Sequence, residues 1–169
     1  MKNKINVINK KEMKISFINA PQLFYSDKLV QVNDDVYLYT EPMDEYLHNR
    51  GIVLCAAVKI NFGDAIYDVI VFDSALLKLP PYVQDMFIGH EVGHFVNNDI
   101  SDLSEADARK LIIKRTFGII PTMEFNADKY AASLIGVSSA KSALMFMVKN
   151  TNLPLNSKIE LLRRYCKIK

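Results

Sequence analysis

Two histidines in the middle of the chain have the spacing of a metal-binding pair. The segment His90-Glu91-Val92-Gly93-His94 is an H-E-x-x-H, and residues four apart in a helix lie on one face. His90 and His94 can therefore hold one metal ion, and neutral imidazole is an ordinary ligand of zinc. Glu91 points elsewhere around such a helix, so it can act on a water molecule without ligating the metal.

A third ligand is needed, because catalytic zinc sites use three protein side chains and leave the fourth position to water. Glu124 is the best candidate, since it begins the pattern E-F-N-A-D on a second predicted helix. Asp128 lies one turn later and can accept the free N–H of a ligand histidine, which would fix the tautomer of that ring.

The H-E-V-G-H segment and the E-F-N-A-D-K-Y-A-A segment together resemble the gluzincin metallopeptidases. Within that group they look like the catalytic domain of the CAAX prenyl endopeptidases, the related bacterial heat-shock membrane peptidases and the small soluble minigluzincins. The resemblance covers roughly residues 61–162. It implies an α+β, zincin-like fold, one Zn²⁺, and hydrolysis of a peptide bond with Glu91 as the general base.

The resemblance is weaker near the C-terminus. The family often has a T-H-P turn followed by R-I, whereas this chain has T-N-L-P at residues 151–154 and then Lys158. Asn152 stands in the place of the histidine and Lys158 in the place of the arginine, and lysine keeps the charge but loses the planar fork. Support for an oxyanion or a substrate beyond the metal is left open among four candidates: His48, Tyr130, Lys158 and Arg163.

Length and composition predict one folded domain over residues 1–169. The chain is 50% hydrophobic and 24% charged, as in ordinary globular proteins, and its net charge of +2 gives no reason to expect nucleic acid as a partner. Cys55 and Cys166 lack the spacing of a zinc or redox motif, so we expect two unpaired thiols.

The first 14 residues carry five lysines and no apolar core of a signal peptide, which predicts a flexible basic tail. No run of 18 apolar residues is present. We therefore expect a cytoplasmic protein without membrane insertion, acting on a peptide or protein substrate, and we do not expect prenylated substrates.

The first half of the chain carries the strand signals. Short strands are predicted at Lys14–Ile18 and at residues 36–39, while the apolar residues of 23–32 fit a helix and a strand equally well. The strongest strand signals are residues 51–62 and 65–73, joined by a hairpin-like loop. The sequence therefore predicts a small, mostly antiparallel sheet ahead of the helices. The resemblance implies an edge strand for substrate pairing in the last two segments, and an ordinary hairpin is an equally good interpretation.

The second half predicts four or five helices. Pro80-Pro81 can open the H-E-x-x-H helix, and 97–99 ends it. A third helix is predicted from Ser101 or Ser104 to Thr116, and a fourth starts at Pro121 or Thr122 and ends at Gly136. Ser138 is predicted to cap the next helix. Asn156 opens the last one, which covers residues 158–166. A short helix is also predicted at 43–49.

Gly89 and Gly93 lie inside the H-E-x-x-H helix, where each costs about 1 kcal/mol relative to alanine. They predict a close backbone approach by a neighbouring element.

Two other interpretations compete with an active peptidase. One is a regulatory or binding protein in which zinc only fixes the fold. The other is a latent protease inhibited by its own N-terminal segment.

Overall fold

The computed structural model describes residues 12–15, 23–25, 28–49, 54–62, 65–99 and 120–169. The chain is α+β and divides into two compact units, Met1–Lys78 and Leu79–Lys169. The first unit contains the sheet and the second contains the long helices. The expectation of one domain over 1–169 stays a prediction. Of the basic tail expected at 1–14, residues 1–11 lie outside the described residues, and residues 12–14 belong to a strand, Glu12–Ile15.

The N-terminal unit is built on a mixed sheet. Its strands are β1 Glu12–Ile15, β2 Leu23–Tyr25, β3 Leu29–Asn33, β4 Val36–Tyr39, β5 Cys55–Phe62 and β6 Ala65–Phe72. Four of them, in the order β5-β6-β4-β3, form the main sheet, and β1 and β2 extend it beyond β5. The prediction of a small, mostly antiparallel sheet holds except at one pair, β4 and β6, which run parallel.

The predicted hairpin of β5 and β6 is confirmed, with an unbroken antiparallel register from Cys55 opposite Phe72 to Phe62 opposite Ala65. Strand β6 lies between β5 and β4, so the expected role as an edge is wrong for β6. Strand β1 pairs with β5 only at Lys14 opposite Asn61 and Ile15 opposite Ile60. For residues 55–59 of β5 the described part of the chain provides no second neighbouring strand, and there the expected edge stays a prediction.

The core of this unit lies between the sheet and a short helix, α1 Asp44–His48, which confirms the helix predicted at 43–49. Tyr46 and Leu47 are buried on α1 and cluster with Ile60 of β5 and Val69 and Val71 of β6. The second half of β6, residues 69–72, is buried on both faces, which explains its continuous apolar sequence Val-Ile-Val-Phe.

Asp73 follows β6 and is buried. Its Oδ2 accepts a hydrogen bond from the Leu54 N–H at 3.2 Å, and its Oδ1 accepts one from Ala75 at 2.8 Å. Leu54 has φ 79°, a left-handed conformation that is costly for leucine, and the Asp73 N–H also donates to its carbonyl at 2.8 Å. These paired hydrogen bonds hold the strained residue at the entry to β5.

The described residues of the C-terminal unit form four helices that pack on one another. They are α2 Pro81–Val96, α3 Thr122–Ile135, α4 Val137–Asn150 and α5 Leu155–Lys167. A one-turn 3-10 helix, Leu76–Lys78, precedes them in the chain. The helix predicted between 101 and 116 lies outside the described residues.

Most predicted helix ends are confirmed. Pro80 precedes the first residue of α2, Asn97 ends that helix, and Gly136 ends α3 with φ 89°. Ser138 is not a cap as predicted. Helix α4 begins at Val137 directly after Gly136, so Ser138 lies inside its first turn. Helix α5 begins one residue before the predicted Asn156.

Helix α2 packs most extensively on α3, and the two glycines of α2 make this possible. A Cβ built on Gly93 would lie 2.8 Å from the Cα and 2.9 Å from the carbonyl oxygen of Ala127. A Cβ on Gly89 would lie 3.3 Å from the Cβ of Ala131. The predicted close approach is therefore confirmed, and the neighbour is the helix that carries Glu124.

None of the helices in the described ranges is long and apolar enough to cross a membrane.

Candidate metal centre

The C-terminal unit brings His90, His94 and Glu124 together on the facing sides of α2 and α3. All three residues are buried. The Nε2 atoms of His90 and His94 are 3.1 Å apart, and His90 Nε2 is 3.3 Å from Glu124 Oε2. One ligand atom from each residue lies within 4.8 Å of the other two, so this buried group can hold a metal ion.

Each histidine ring is fixed from behind by a carboxylate. The Nδ1 of His90 is 2.8 Å from Asp128 Oδ1, and the Nδ1 of His94 is 3.1 Å from Asp99 Oδ2. A carboxylate accepts hydrogen bonds and cannot donate them when ionised, so both Nδ1 atoms carry a proton and donate it. The Nε2 lone pairs of both rings are then directed at the same place, beside Glu124.

Asp99 reaches His94 because of the way α2 ends. The Asn98 N–H donates to the Phe95 carbonyl at 2.9 Å, and the Asp99 N–H donates to the His94 carbonyl at 2.9 Å. Asn98 has φ 56°, and these two bonds are those of a Schellman motif, which asparagine can support. The turn folds the chain back over the last turn of α2 and places the Asp99 carboxylate on the ring of His94.

The convergence of the ring nitrogens calls for a positive charge. Two neutral rings would direct their lone pairs at each other across 3.1 Å, beside a carboxylate. Lone pairs so close repel unless a proton or a metal ion lies between them.

The surroundings of His90 favour its protonated ring and so raise its pKa. Burial and the charge of Arg164 lower it, but hydrogen bonds to Asp128 and Glu124 and the charge of Glu91 outweigh them and raise it from 6.5 to about 9. Without a metal, His90 is therefore protonated at neutral pH.

Arg164 of α5 completes the buried part of the site. Its Nε donates to Asp128 Oδ2 at 2.8 Å and its Nη2 donates to Asp128 Oδ1 at 2.6 Å, a two-point contact. Nη1 lies 3.9 Å from Glu124 Oε2. Nη2 is also 3.1 Å from His90 Nδ1, but that nitrogen already donates to Asp128, so this is a contact and not a hydrogen bond.

The charges of this cluster support one another. Burial raises the pKa of Asp128, but hydrogen bonds and charges from Arg164 and His90 hold it below its ordinary value of 3.8. Burial lowers the pKa of Arg164, and its contacts with Asp128 and Glu124 raise it overall. Asp128 is therefore ionised and Arg164 protonated whenever the chain is folded near neutral pH.

The predicted ligand set and Asp128 thus lie together in the C-terminal unit. The other four predicted residues differ in their exposure. His48, in the N-terminal unit, is largely exposed with its Nε2 3.5 Å from Asp73 Oδ2. Tyr130 and Lys158 are half-buried on α3 and α5. Arg163 is exposed and lines a shallow groove of about 380 Å³ together with Phe125 of α3 and other residues of α5.

Sequence reasoning missed Asp99 and Arg164. A signal for Asp99 existed in Asn98, a residue that tolerates the left-handed conformation in which a helix commonly ends. A signal for a buried cation existed on α3, because Glu124 and Asp128 lie on its apolar face. Two buried carboxylates need more positive charge than the two histidines supply. The sequence places Arg163 and Arg164 side by side, and only the packing of α5 shows which one faces inward.

Comparison of the chain with models of protein families, with curated proteins and with solved structures finds no match.

Proposed function

We propose that the chain is a zinc-dependent peptidase of the gluzincin type. The observation that carries the proposal is the convergence of His90 Nε2, His94 Nε2 and Glu124 Oε2, with both rings held by carboxylates through Nδ1. Three ligands from two helices leave a coordination position for water, as catalytic zinc sites do, whereas structural zinc sites are closed by four protein ligands.

The donor spacing supports zinc as the metal. Two ligands about 2.0–2.1 Å from a tetrahedral ion lie about 3.3–3.4 Å apart. The separations of 3.1 Å between the two imidazoles and 3.3 Å between His90 and Glu124 are close to this value. Two imidazoles and one carboxylate also suit zinc better than the harder calcium and magnesium ions, which prefer oxygen ligands.

Glu91 is the residue to which we assign proton transfer. A bound zinc ion would lower the pKa of a water molecule and polarise the carbonyl of the scissile peptide bond. Glu91 is half-buried, follows a ligand directly, and acts on the charge of His90. It takes a proton from the attacking water and delivers it to the leaving amine. Asp128 and Asp99 meanwhile keep both rings in the tautomer that leaves Nε2 free.

The substitution Glu91→Gln tests this assignment. It keeps the size of the side chain and one acceptor oxygen but removes the base, so we expect zinc binding to be retained and cleavage of a peptide library to be lost. Glu124→Ala is the matched comparison and should lose zinc as well. Equal cleavage by the wild type and Glu91→Gln would contradict the assignment.

A zinc-binding protein without turnover is the second candidate. Asn152 and Lys158 favour it, because the resembling family has histidine and arginine there. Asn152 is exposed in the turn before α5, and Lys158 is half-buried in the first turn of that helix. A wild-type chain that binds zinc tightly and cleaves no peptide in a broad library would support this second candidate.

A further inference from the structure

Arg164 reaches three buried residues of the metal centre, Asp128, Glu124 and His90, from a third helix. It lies on α5, whereas the ligands lie on α2 and α3. It is buried, and its guanidinium contacts both oxygens of Asp128 and approaches Glu124 and the ring of His90. Arginine is seldom buried unless it is paired with charged groups, and the charged groups that pair with Arg164 belong to the metal centre.

We propose that Arg164 is a positioning residue of the metal centre, which fixes Asp128 and through it the orientation of the His90 ring. The guanidinium fork holds both oxygens of Asp128 in one plane. In this orientation Oδ1 also accepts the hydrogen bond from His90 Nδ1, at 2.8 Å. The direction of the Nε2 lone pair on the opposite side of the ring follows from that contact.

The same contacts explain why a merely charged residue cannot replace Arg164. A lysine ammonium is a single point of charge, so it can reach one oxygen of Asp128 but cannot define the plane of the carboxylate. Asp128 could then rotate, and the His90 ring would rotate with it. Arg164→Lys therefore keeps the charge of the site while loosening its geometry.

The inference rests on the metal site and not on peptide hydrolysis, so its test uses zinc affinity. Removing an outer partner of a ligand histidine costs about 10–100-fold in affinity. Arg164 contacts Asp128, which in turn contacts the ligand His90, so Arg164 is one contact further from the metal. We therefore expect Arg164→Lys to lower the zinc affinity by about tenfold, the lower end of that range. Competition with a chromophoric chelator measures this loss. Arg163→Lys, the same change at the exposed neighbouring arginine, is the control and should leave the affinity unchanged.

A double-mutant cycle separates positioning from general stability. If Arg164 acts through Asp128, then Arg164→Gln should weaken zinc in the wild-type background and add nothing further to Asp128→Asn. The stability should behave differently. Asp128→Asn leaves a buried arginine without its partner, so the double variant should melt at a higher temperature than Asp128→Asn alone. Should Arg164→Gln alone fail to fold, Arg164→Lys replaces it in the cycle, because lysine keeps the buried charge.

A nuclear magnetic resonance signal reports on the proposed contact directly. The Nδ1 proton of His90 is buried and hydrogen-bonded, so it should exchange slowly and give a resolved downfield resonance in the wild type and in Arg163→Lys. In Arg164→Lys the resonance should move and broaden.

Three results would overturn the inference. Zinc affinity in folded Arg164→Lys could equal that of the wild type, the losses for Arg164→Gln and Asp128→Asn could add in full, or the His90 resonance could be unchanged in Arg164→Lys. A wild-type chain that binds no zinc would instead refute the metal site, and this inference with it.

Discussion

The contact between Gly93 and α3 makes Gly93→Ala a sensitive perturbation of the metal centre. The added Cβ would lie 2.8 Å from the Cα and 2.9 Å from the carbonyl oxygen of Ala127, and ordinary contacts begin at 3.4 Å. The neighbours are backbone atoms, which cannot rotate out of the way. Helices α2 and α3 would therefore have to separate locally by about 0.6 Å.

The expected loss of stability follows from two opposing effects. Alanine gains about 1 kcal/mol over glycine in a helix interior. Overpacking of a close contact costs about 1–3 kcal/mol, and a contact with backbone belongs at the upper end. We expect a net loss of about 1–2 kcal/mol, which lowers the melting temperature of a chain of this size by about 2–8 °C.

Zinc affinity should fall in the same variant, because His90 and His94 lie on α2 and Glu124 lies on α3. Gly89→Ala is the matched control. Its Cβ would meet the Cβ of Ala131 at 3.3 Å, a smaller conflict that the gain in helix propensity offsets. We expect that variant to match the wild type in thermal unfolding and in zinc titration. A Gly93→Ala chain as stable as Gly89→Ala, with unchanged zinc affinity, would refute this reasoning about helix packing.

Two further predictions concern the ligand histidines. Because the folded pKa of His90 is raised from 6.5 to about 9, its proton stabilises the metal-free chain below pH 6.5, and this contribution disappears as the pH rises through about 9. Zinc must displace that proton, so zinc binding between pH 6.5 and about 9 should release close to one proton, and the affinity should increase with pH. Calorimetry in buffers of different ionisation enthalpy measures the number of protons released. A binding heat that does not depend on the buffer would contradict this prediction. Asp99→Asn should lower the zinc affinity by about tenfold, because it removes the charged partner of His94. Asp85→Asn, on the exposed face of α2, is the control and should leave the affinity unchanged. Equal zinc affinities in the two variants would show that Asp99 has no such role.

The ligand set could be predicted from sequence because each part of it obeys a local rule. The i, i+4 spacing places His90 and His94 on one face, and the same period places Glu124 and Asp128 on one face of α3. Pro81 and Gly136 give the start of α2 and the end of α3. All of these signals lie within one or two turns of the residues they describe.

The parts that sequence missed depend on contacts between distant segments. Asp128 and Arg164 are 36 residues apart, and nothing local distinguishes Arg164 from Arg163. The parallel pairing of β4 with β6 is non-local in the same way. The hairpin of β5 and β6 was predicted correctly, but its pairing with β1 and β4 was not, because no turn signal connects those strands to it.

X-ray absorption at the zinc edge of the zinc-loaded protein tests the central claim most directly. If His90, His94 and Glu124 hold the metal, the spectrum should contain two imidazole ligands and further oxygen ligands at about 2.0–2.2 Å, at one zinc per chain. In Glu124→Gln the stoichiometric signal should be lost or reduced. Sulfur ligands at about 2.3 Å, or a wild-type spectrum without the imidazole contribution, would contradict the site.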